Sequence, residues 1–436
     1  MSQDEDFAQR TSAFRAHLPD LNTPRFQNVH SDDAYAHAHR FLTQKQPPWL
    51  HELVMTWKKL YKEPYNGITT NGQVMPNLYP IQDEHLPISS IVASVEAVFS
   101  LCSSPQKEKL QFPADAKEWR AWSNPEILIN PLGLRLEEVS PELASAILNV
   151  LQTTLSPEGY EKALGAMRIN HFLGELVGGE KIMNEQSYNF LVFGTPSTTD
   201  YWGWSLYGHH LCLNVFLYRH QIVIAPFFTG AEPNLIDQGP YAGTRILNQE
   251  ETLGLQLMQS LPPTLQACAQ TYKLMKDPAM SIGTLARWNK DDQRHLCGAF
   301  RDNRTVPYEG IPISSFSPTQ QSLILNILTQ FLLYLPATSR RIKLDSCKAH
   351  FSTTYFSWIG GYGDNDPFYY RIQSPVIIVE FDHHSGVFLS NQEPAKFHIH
   401  TLLRMPNRGD YGVALREQIR GNREVELNEG VGKAML

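Results

Sequence analysis

The sequence predicts an α+β protein, with an N-terminal helical region followed by two duplicated helix-and-antiparallel-sheet units related by an approximate two-fold. Apolar residues recur at helical spacing within residues 1–112. Segment 140–151 (SPELASAILNVL) matches segment 317–328 (SPTQQSLILNIL) at seven of twelve positions. Strand-like segments follow both copies in the same order. We therefore expect three domains, over residues 1–112, 113–285 and 286–436.

The elements follow from local patterns. Helical spacing covers 34–42, 49–61 and 91–101, and a further helical stretch at 247–274 closes the first unit. Each copied helix opens with a serine at the N-cap and a proline at the first helical position. The predicted strand segments are rich in apolar and aromatic residues: 187–194, 201–216 and 221–227 in the first unit, and 349–358, 368–381 and 396–403 in the second.

Composition excludes several classes of protein. With 42% hydrophobic and 11% aromatic residues, the chain of 436 residues is not intrinsically disordered. A net charge of −7 argues against a nucleic-acid binder, and no apolar run is long enough for a membrane span. The acidic N-terminus lacks a signal-peptide pattern, and the five cysteines are scattered. We expect a cytoplasmic protein without disulfides.

Common catalytic motifs are missing from the sequence. It contains no G-x-x-x-x-G-K-[ST], no H-E-x-x-H and no G-x-S-x-G. We therefore expect no nucleotide cofactor, and the partner that we expect is a small-molecule substrate. The oligomeric state stays open.

Paired histidines are the main chemical signal. His398 and His400 are two residues apart in a predicted strand, so both imidazoles project from one face. Neutral imidazole is a common metal ligand, and a strand fixes the geometry of two such ligands. We also expect His209 or His210 to enter the site, and a divalent Fe, Cu, Zn or Mn ion to bind. The same pattern also fits surface histidines, or a pair hydrogen-bonded to Glu380.

A third pair, His383 and His384, follows a strand at a predicted turn, where we expect both side chains to be exposed. That strand carries Glu380 and Asp382 on one face. A carboxylate in an apolar strand needs a partner, and together with two histidines it could form a 2-His-1-carboxylate set for non-haem iron.

Arginine and aromatic residues lie near these strands in the sequence. Arg371 and Arg404 are candidates for holding an anionic substrate group. Five aromatic residues are candidates for the wall of a substrate pocket, although ordinary strand core explains them as well. They are Trp202, Trp204, Trp358, Tyr369 and Tyr370.

At these residues the sequence resembles the family called domain of unknown function 3500. The resemblance rests on the Trp-Gly-Trp and Gly-His-His-Leu motifs in segment 201–214, on 225–233, and on the Glu-x-Asp and His-x-His motifs of 380–400. It extends over about residues 120–415. Members often read Asp-Asn where this chain has Asp382 before His383, and Asn-His-x-His where it has Phe397 before His398. The resemblance implies that these motifs occur together, but it names no reaction.

The leading hypothesis is a metal-dependent enzyme, an oxidoreductase, hydrolase or lyase, that acts on a small organic molecule in specialised metabolism. Histidines would bind the metal, and Glu380, Asp382, Arg371 and Arg404 would serve catalysis. Two alternatives remain open. One is a metal-free isomerase, cyclase or lyase that uses histidines and carboxylates as acids and bases. The other is a non-catalytic protein that binds a small ligand.

Overall fold

The computed structural model describes residues 12–45, 47–282, 286–288 and 293–422. The acidic N-terminus, residues 1–11, lies outside the described residues. The predicted domain boundary between residues 285 and 286 lies partly outside them, since residue 285 is not described. Within them, no helix combines the length and the apolar character that crossing a bilayer requires. All five cysteines are free.

Helices precede the strands in both halves of the chain, and the three helices predicted near the N-terminus are all present. The α-helices are α1 (Pro24–Ser31), α2 (Ala34–Gln44), α3 (Pro48–Lys62), α4 (Ile88–Leu101), α5 (Ser104–Leu110), α6 (Pro141–Thr154), α7 (Pro157–Val177), α8 (Asn248–Ser260), α9 (Pro263–Ala269), α10 (Pro318–Phe331), α11 (Ala337–Ala349) and α12 (413–422). The two copied helices, α6 and α10, begin as predicted, since Ser140 and Ser317 each cap the helix through their side chains.

The described strands form one mixed sheet. They are β1 (Gln111–Phe112), β2 (Leu134–Arg135), β3 (Tyr188–Phe193), β4 (Tyr201–Gly208), β5 (Leu211–Tyr218), β6 (Gln221–Ala231), β7 (Gln270–Tyr272), β8 (Ile311–Pro312), β9 (Tyr355–Gly360), β10 (Phe368–Gln373), β11 (Ile378–His384) and β12 (Ala395–Arg404). The strand order is β1-β3-β4-β5-β6-β12-β11-β10-β9-β7, with β2 beside β3 and β8 beside β9. The predicted α+β class is confirmed.

The order of elements is the same in the two halves of the sheet. In each half a short parallel strand (β1 or β7) and a short antiparallel strand (β2 or β8) pair with the first strand of a four-strand meander. The two meanders, β3 to β6 and β9 to β12, meet where β6 pairs antiparallel with β12. The duplication, its two-fold and the three domain bounds stay predictions.

Two of the predicted strand segments are hairpins. Segment 201–216 turns at His209 and His210, and Gly208 pairs with Leu211 across that turn. Segment 368–381 turns at 374–377, where Pro375 cannot donate a ladder hydrogen bond. There the Ser374 hydroxyl accepts from two following backbone amides at 3.2 Å.

The sheet has two covered faces. On one face, apolar rings pack under the helices. The Tyr370 hydroxyl on this face donates to the Glu250 carbonyl in α8 at 2.8 Å. The other face carries His398, His400 and Arg404. Segment 293–302, which is buried throughout, packs on this second face, and the rings of Phe300 and Trp57 bring α3 against it.

A buried ion cluster joins segment 293–302 to the end of β12. Arg404 donates to Asp302 at 2.8 Å and to Asp410 at 3.1 Å, and also to the carbonyls of Cys297 and Gly298. Arg120 adds a second guanidinium on Asp302 at 2.9 Å. Each charge is therefore paired and hydrogen-bonded, which burial requires.

Replacing Arg404 with Ala should lower the free energy of unfolding by about 3–5 kcal/mol, because it leaves Asp302 and Asp410 as buried carboxylates with lost partners. Urea unfolding measures this loss. The control is Arg341→Ala, which removes an exposed ion pair with Asp345 on α11 and should stay within about 0.5 kcal/mol of wild type. Equal losses in the two variants would contradict a stabilising role for the cluster.

Candidate metal centre

The turn between β4 and β5 places two histidines at the end of the sheet. His210 has a φ of 60°, in the left-handed region that a tight hairpin turn usually fills with glycine or asparagine. Its backbone is held on both sides, because its N–H donates to the Asn124 carbonyl at 3.1 Å and its carbonyl accepts from Gly230 at 2.8 Å. A histidine kept in a strained turn position indicates that its side chain has a role.

Strand pairing brings β12 to the same place. His398 and His400 project from one face of β12 as predicted, and His400 pairs with Asp382 on one side and with Gly230 on the other. A Cβ atom on Gly230 would come within 2.7 Å of the His210 ring and 3.0 Å of the His400 ring. Glycine is therefore needed here for the two imidazoles to converge.

Three imidazole nitrogens converge above Gly230. The Nε2 of His400 lies 3.1 Å from the Nε2 of His210 and 3.1 Å from the Nε2 of His398. All three ligand atoms lie within 4.8 Å of one another. Two nitrogens bound to a tetrahedral zinc at about 2.0–2.1 Å lie roughly 3.3 Å apart, so the spacing suits a transition metal.

The loop after β11 orients this site. The Ser385 carbonyl can only accept, so it takes hydrogen bonds from the Nδ1 of His398 at 2.8 Å and from the Nδ1 of His384 at 3.0 Å. In neutral His398 the proton is therefore on Nδ1, and Nε2 carries a lone pair directed at the other imidazoles. Backbone carbonyls commonly orient metal-binding histidines in this way. His384 lies close by, its ring centroid 4.3 Å from that of His400.

The predicted exposure of His383 and His384 was wrong. Both belong to β11, which extends two residues beyond Asp382, and both are buried. The Nδ1 of His383 accepts from the Phe368 amide at 3.0 Å, and its Nε2 lies 3.3 Å from Glu251. His383 therefore stabilises the helical face of the sheet, whereas His384 joins the histidine cluster on the other face.

Burial keeps the clustered imidazoles neutral. It lowers the pKa of His398 to about 3, and burial together with the neighbouring His398 lowers the pKa of His384 to about 3. Burial, reinforced by the surrounding imidazoles, holds the pKa values of His210 and His400 well below the usual 6.5. Neutral imidazoles carry the lone pair that a metal ion needs.

His209 packs against the histidine cluster on the side of His210. Its ring stacks on that of His210 with centroids 3.9 Å apart, and its Nδ1 lies 2.8 Å from the side-chain oxygen of Asn170. The amide nitrogen of Asn170 donates elsewhere, so this oxygen accepts from His209. Of the four histidines predicted as ligands, the structure groups His210, His398 and His400.

The predicted catalytic carboxylates have other partners. Glu380 accepts from the backbone amides of Leu296 and Cys297 at 2.8 and 2.9 Å, and from the Tyr369 hydroxyl at 2.7 Å. Asp382 faces Arg294 at 3.2 Å and His295 at 3.4 Å. Burial opposes its ionisation, but these two neighbours hold the pKa of Asp382 at about 2. In the described part of the chain, the third member of the cluster is His210 rather than a carboxylate.

The predicted arginines and aromatic residues lie outside the immediate site. Arg404 serves the ion cluster described above, and Arg371 pairs with Glu309 at 3.0 Å. Tyr369 shares the histidine face. Four other rings lie on the opposite, helical face and are fully buried: Trp202, Trp204, Trp358 and Tyr370. Their assignment to substrate binding stays a prediction.

A cleft of about 620 Å³ opens on the cluster and exposes it to small molecules. His210, His384 and His400 form its floor, and helices α1 to α3 supply much of the opposite wall. The remaining lining includes charged, polar and aromatic residues that sequence patterns did not single out. They are Arg25, His37, Phe41, Trp49, Asn124, Glu126 and Phe388.

The buried imidazoles should make the metal-free protein sensitive to mild acid. Their pKa values are lower in the folded than in the unfolded state, where histidine titrates near 6.5, so the unfolded chain binds more protons below that pH. The free energy of unfolding should fall as pH drops from about 6.5 towards 5, by up to about 1.4 kcal/mol per pH unit for each such histidine.

Urea unfolding of chelator-treated protein at pH 7.5, 6.5 and 5.5 measures this dependence. His398→Gln should reduce the slope, whereas the exposed-site variant His39→Ala should keep it. Equal stability across the range would contradict burial of neutral imidazoles.

Comparison with known proteins points to a family of unknown function. No curated protein and no solved structure matches the chain. A family model described as a protein of unknown function, DUF3500, matches residues 84–413. This range includes the three clustered histidines and most of the chain, and it agrees with the resemblance seen in the motifs. The chain therefore belongs to the DUF3500 family.

Proposed function

We propose that the protein is a metal-dependent hydrolase in which His210, His398 and His400 bind a divalent metal ion, with zinc as the best fit. The convergence of three imidazoles beside the cleft, with the Nε2 of His400 at 3.1 Å from that of His210 and of His398, supports this proposal above all. Two neutral imidazoles at that distance repel through their lone pairs unless a proton or a metal ion lies between them.

The chemistry of the ligands favours hydrolysis. Three neutral imidazoles leave the charge of a zinc ion uncompensated, so that it acidifies bound water towards a pKa near 7, as three-histidine zinc sites do. The 2-His-1-carboxylate arrangement typical of non-haem iron oxygenases needs a carboxylate ligand. Asp382 is instead engaged by Arg294 and His295.

The cleft suits a small organic substrate with an apolar body and an anionic group. Phe41, Trp49 and Phe388 offer apolar walls. Arg25 stands at the mouth, where it donates to the Val387 carbonyl at 2.7 Å and lies over Phe388. Among the described residues no carboxylate pairs with Arg25, which leaves it able to attract an anion. The proposed setting is cytoplasmic specialised metabolism, in keeping with the free cysteines.

Metal content tests the ligand assignment. Protein purified without a histidine tag should carry about one zinc ion per chain, and the double variant His398→Ala/His400→Ala should lose it, because two of three ligands are removed. The fold should survive, since Phe397 and Ile399 still pack on the other face of β12. Elemental analysis and circular dichroism provide the two readouts.

The matched control is His39→Ala, which changes an exposed histidine on α2 and should retain the metal. Full occupancy in the double variant would rule out these ligands. A wild-type protein that binds no metal, yet turns over substrate, would favour the metal-free acid–base enzyme. Binding without turnover would favour a ligand-binding protein.

A second variant tests convergence without touching a ligand. Gly230→Ala places a methyl group against the rings of His210 and His400, so zinc affinity should fall at least tenfold. The control Gly421→Ala adds the same methyl group on α12, where nothing lies within 4 Å. Competition with a zinc chelator measures both affinities. Unchanged affinity in Gly230→Ala would contradict the proposed geometry.

A further inference from the structure

A carboxylate–imidazole pair occupies the wall of the cleft across from the cluster. The Nε2 of His37, in the first turns of α2, lies 3.4 Å from the Oε1 of Glu126. Both side chains are largely buried, with 3% and 8% of their surfaces exposed, yet both line the cleft together with His210 and His400. Such contacts are often long in the absence of substrate and shorten when it binds.

Glu126 is fixed beside the histidine turn. Two residues before it, the Asn124 carbonyl accepts the backbone hydrogen bond of His210 at 3.1 Å. Burial raises the pKa of Glu126, but its contacts with His37 and the nearby His209 outweigh burial and keep the carboxyl ionised. An ionised carboxylate only accepts hydrogen bonds, so the Nε2–H of His37 donates to it.

This contact determines the tautomer of His37. When the ring is neutral with its proton on Nε2, its lone pair is on Nδ1, a buried atom that has no hydrogen-bond partner among the described residues. A histidine held by a carboxylate in one tautomer, with its second nitrogen unengaged, is the arrangement by which many hydrolases remove a proton. The three clustered histidines are arranged differently, since their Nε2 atoms converge on one another.

We propose that His37 is the general base of the cleft and that Glu126 is its positioning residue. The inference rests on the proposed hydrolytic function. A water molecule in the cleft transfers a proton to Nδ1 of His37, and its oxygen keeps the electron pair and attacks the acyl carbon of the substrate. The bond from that carbon to the leaving group breaks, the leaving group takes the electron pair, and the imidazolium beside Glu126 gives its proton to the leaving group.

The test uses full-length protein loaded with zinc and the ester 4-nitrophenyl acetate as the probe. The zinc-dependent rate is the rate of loaded protein minus that of chelator-treated protein. It should fall about 100-fold in His37→Ala and recover in part with added imidazole. Glu126→Gln should also lower the rate, but imidazole should not restore it, because the base is still present.

The control is His39→Ala, two residues along the same helix and exposed, which should keep the wild-type rate. Zinc content should be equal in all four proteins, so a loss of rate does not come from a loss of metal. A zinc-dependent rate in His37→Ala within twofold of wild type would overturn the proposal. So would zinc-loaded wild-type protein without zinc-dependent hydrolysis.

A direct readout of the tautomer separates this inference from the metal assignment. Nitrogen-15 magnetic resonance of histidine-labelled protein should show His37 protonated at Nε2 and bare at Nδ1, with the signal identified by its loss in His37→Ala. Protonation at Nδ1 in the neutral ring would overturn the proposal even where zinc binds. Failure of the wild type to bind zinc, with the expected tautomer, would contradict the metal function alone.

Discussion

The antiparallel pairing of β6 with β12 is the constraint on which the site depends. It joins the two meanders into one sheet and sets Gly230 opposite His400. That register, together with the hairpin turn at His210, brings imidazoles separated by 190 residues to 3.1 Å. A shift of one residue in the register would turn His398 and His400 to the helical face. The two halves of the chain must therefore pair correctly before any ligand set exists.

Charged residues on the histidine face of the sheet help to maintain that register by binding the segment that covers this face. Glu380 and Arg404 bind backbone groups of segment 293–302 and hold it against the sheet. Their burial costs solvation free energy, which the multiple hydrogen bonds offset. A carboxylate and a guanidinium that the sequence makes candidates for catalysis thus hold segment 293–302 on the sheet, while burial keeps the imidazoles neutral. The burial of Asp382 is offset in the same way, by an ion pair with Arg294.

Period-two alternation was enough to predict that His398 and His400 share a face, and that Glu380 and Asp382 share one, because that follows from any strand. The α+β class and the helix starts at Ser140 and Ser317 followed from equally local signals. The turn at His210 could not be predicted, since a Gly-His-His run lacks the usual asparagine–glycine signature. His384 was missed because the strand runs two residues beyond its apolar core. Nor does any local pattern show that α2 folds over the cluster, since this contact is set by tertiary packing.

The family match divides the cleft into two parts. All three clustered histidines, Gly230 and Glu126 lie within residues 84–413, whereas Arg25, His37, Phe41 and Trp49 precede that range. The region matched by the family model therefore contains the proposed metal site and the carboxylate, but not the helical wall that lines the cleft with them. Under the proposed function, those helices would control which molecule reaches the site, because they contribute the apolar surface, the cation at the mouth and the proposed base. In this proposal, metal chemistry and substrate selection reside in different segments of the chain, joined by the contact between His37 and Glu126.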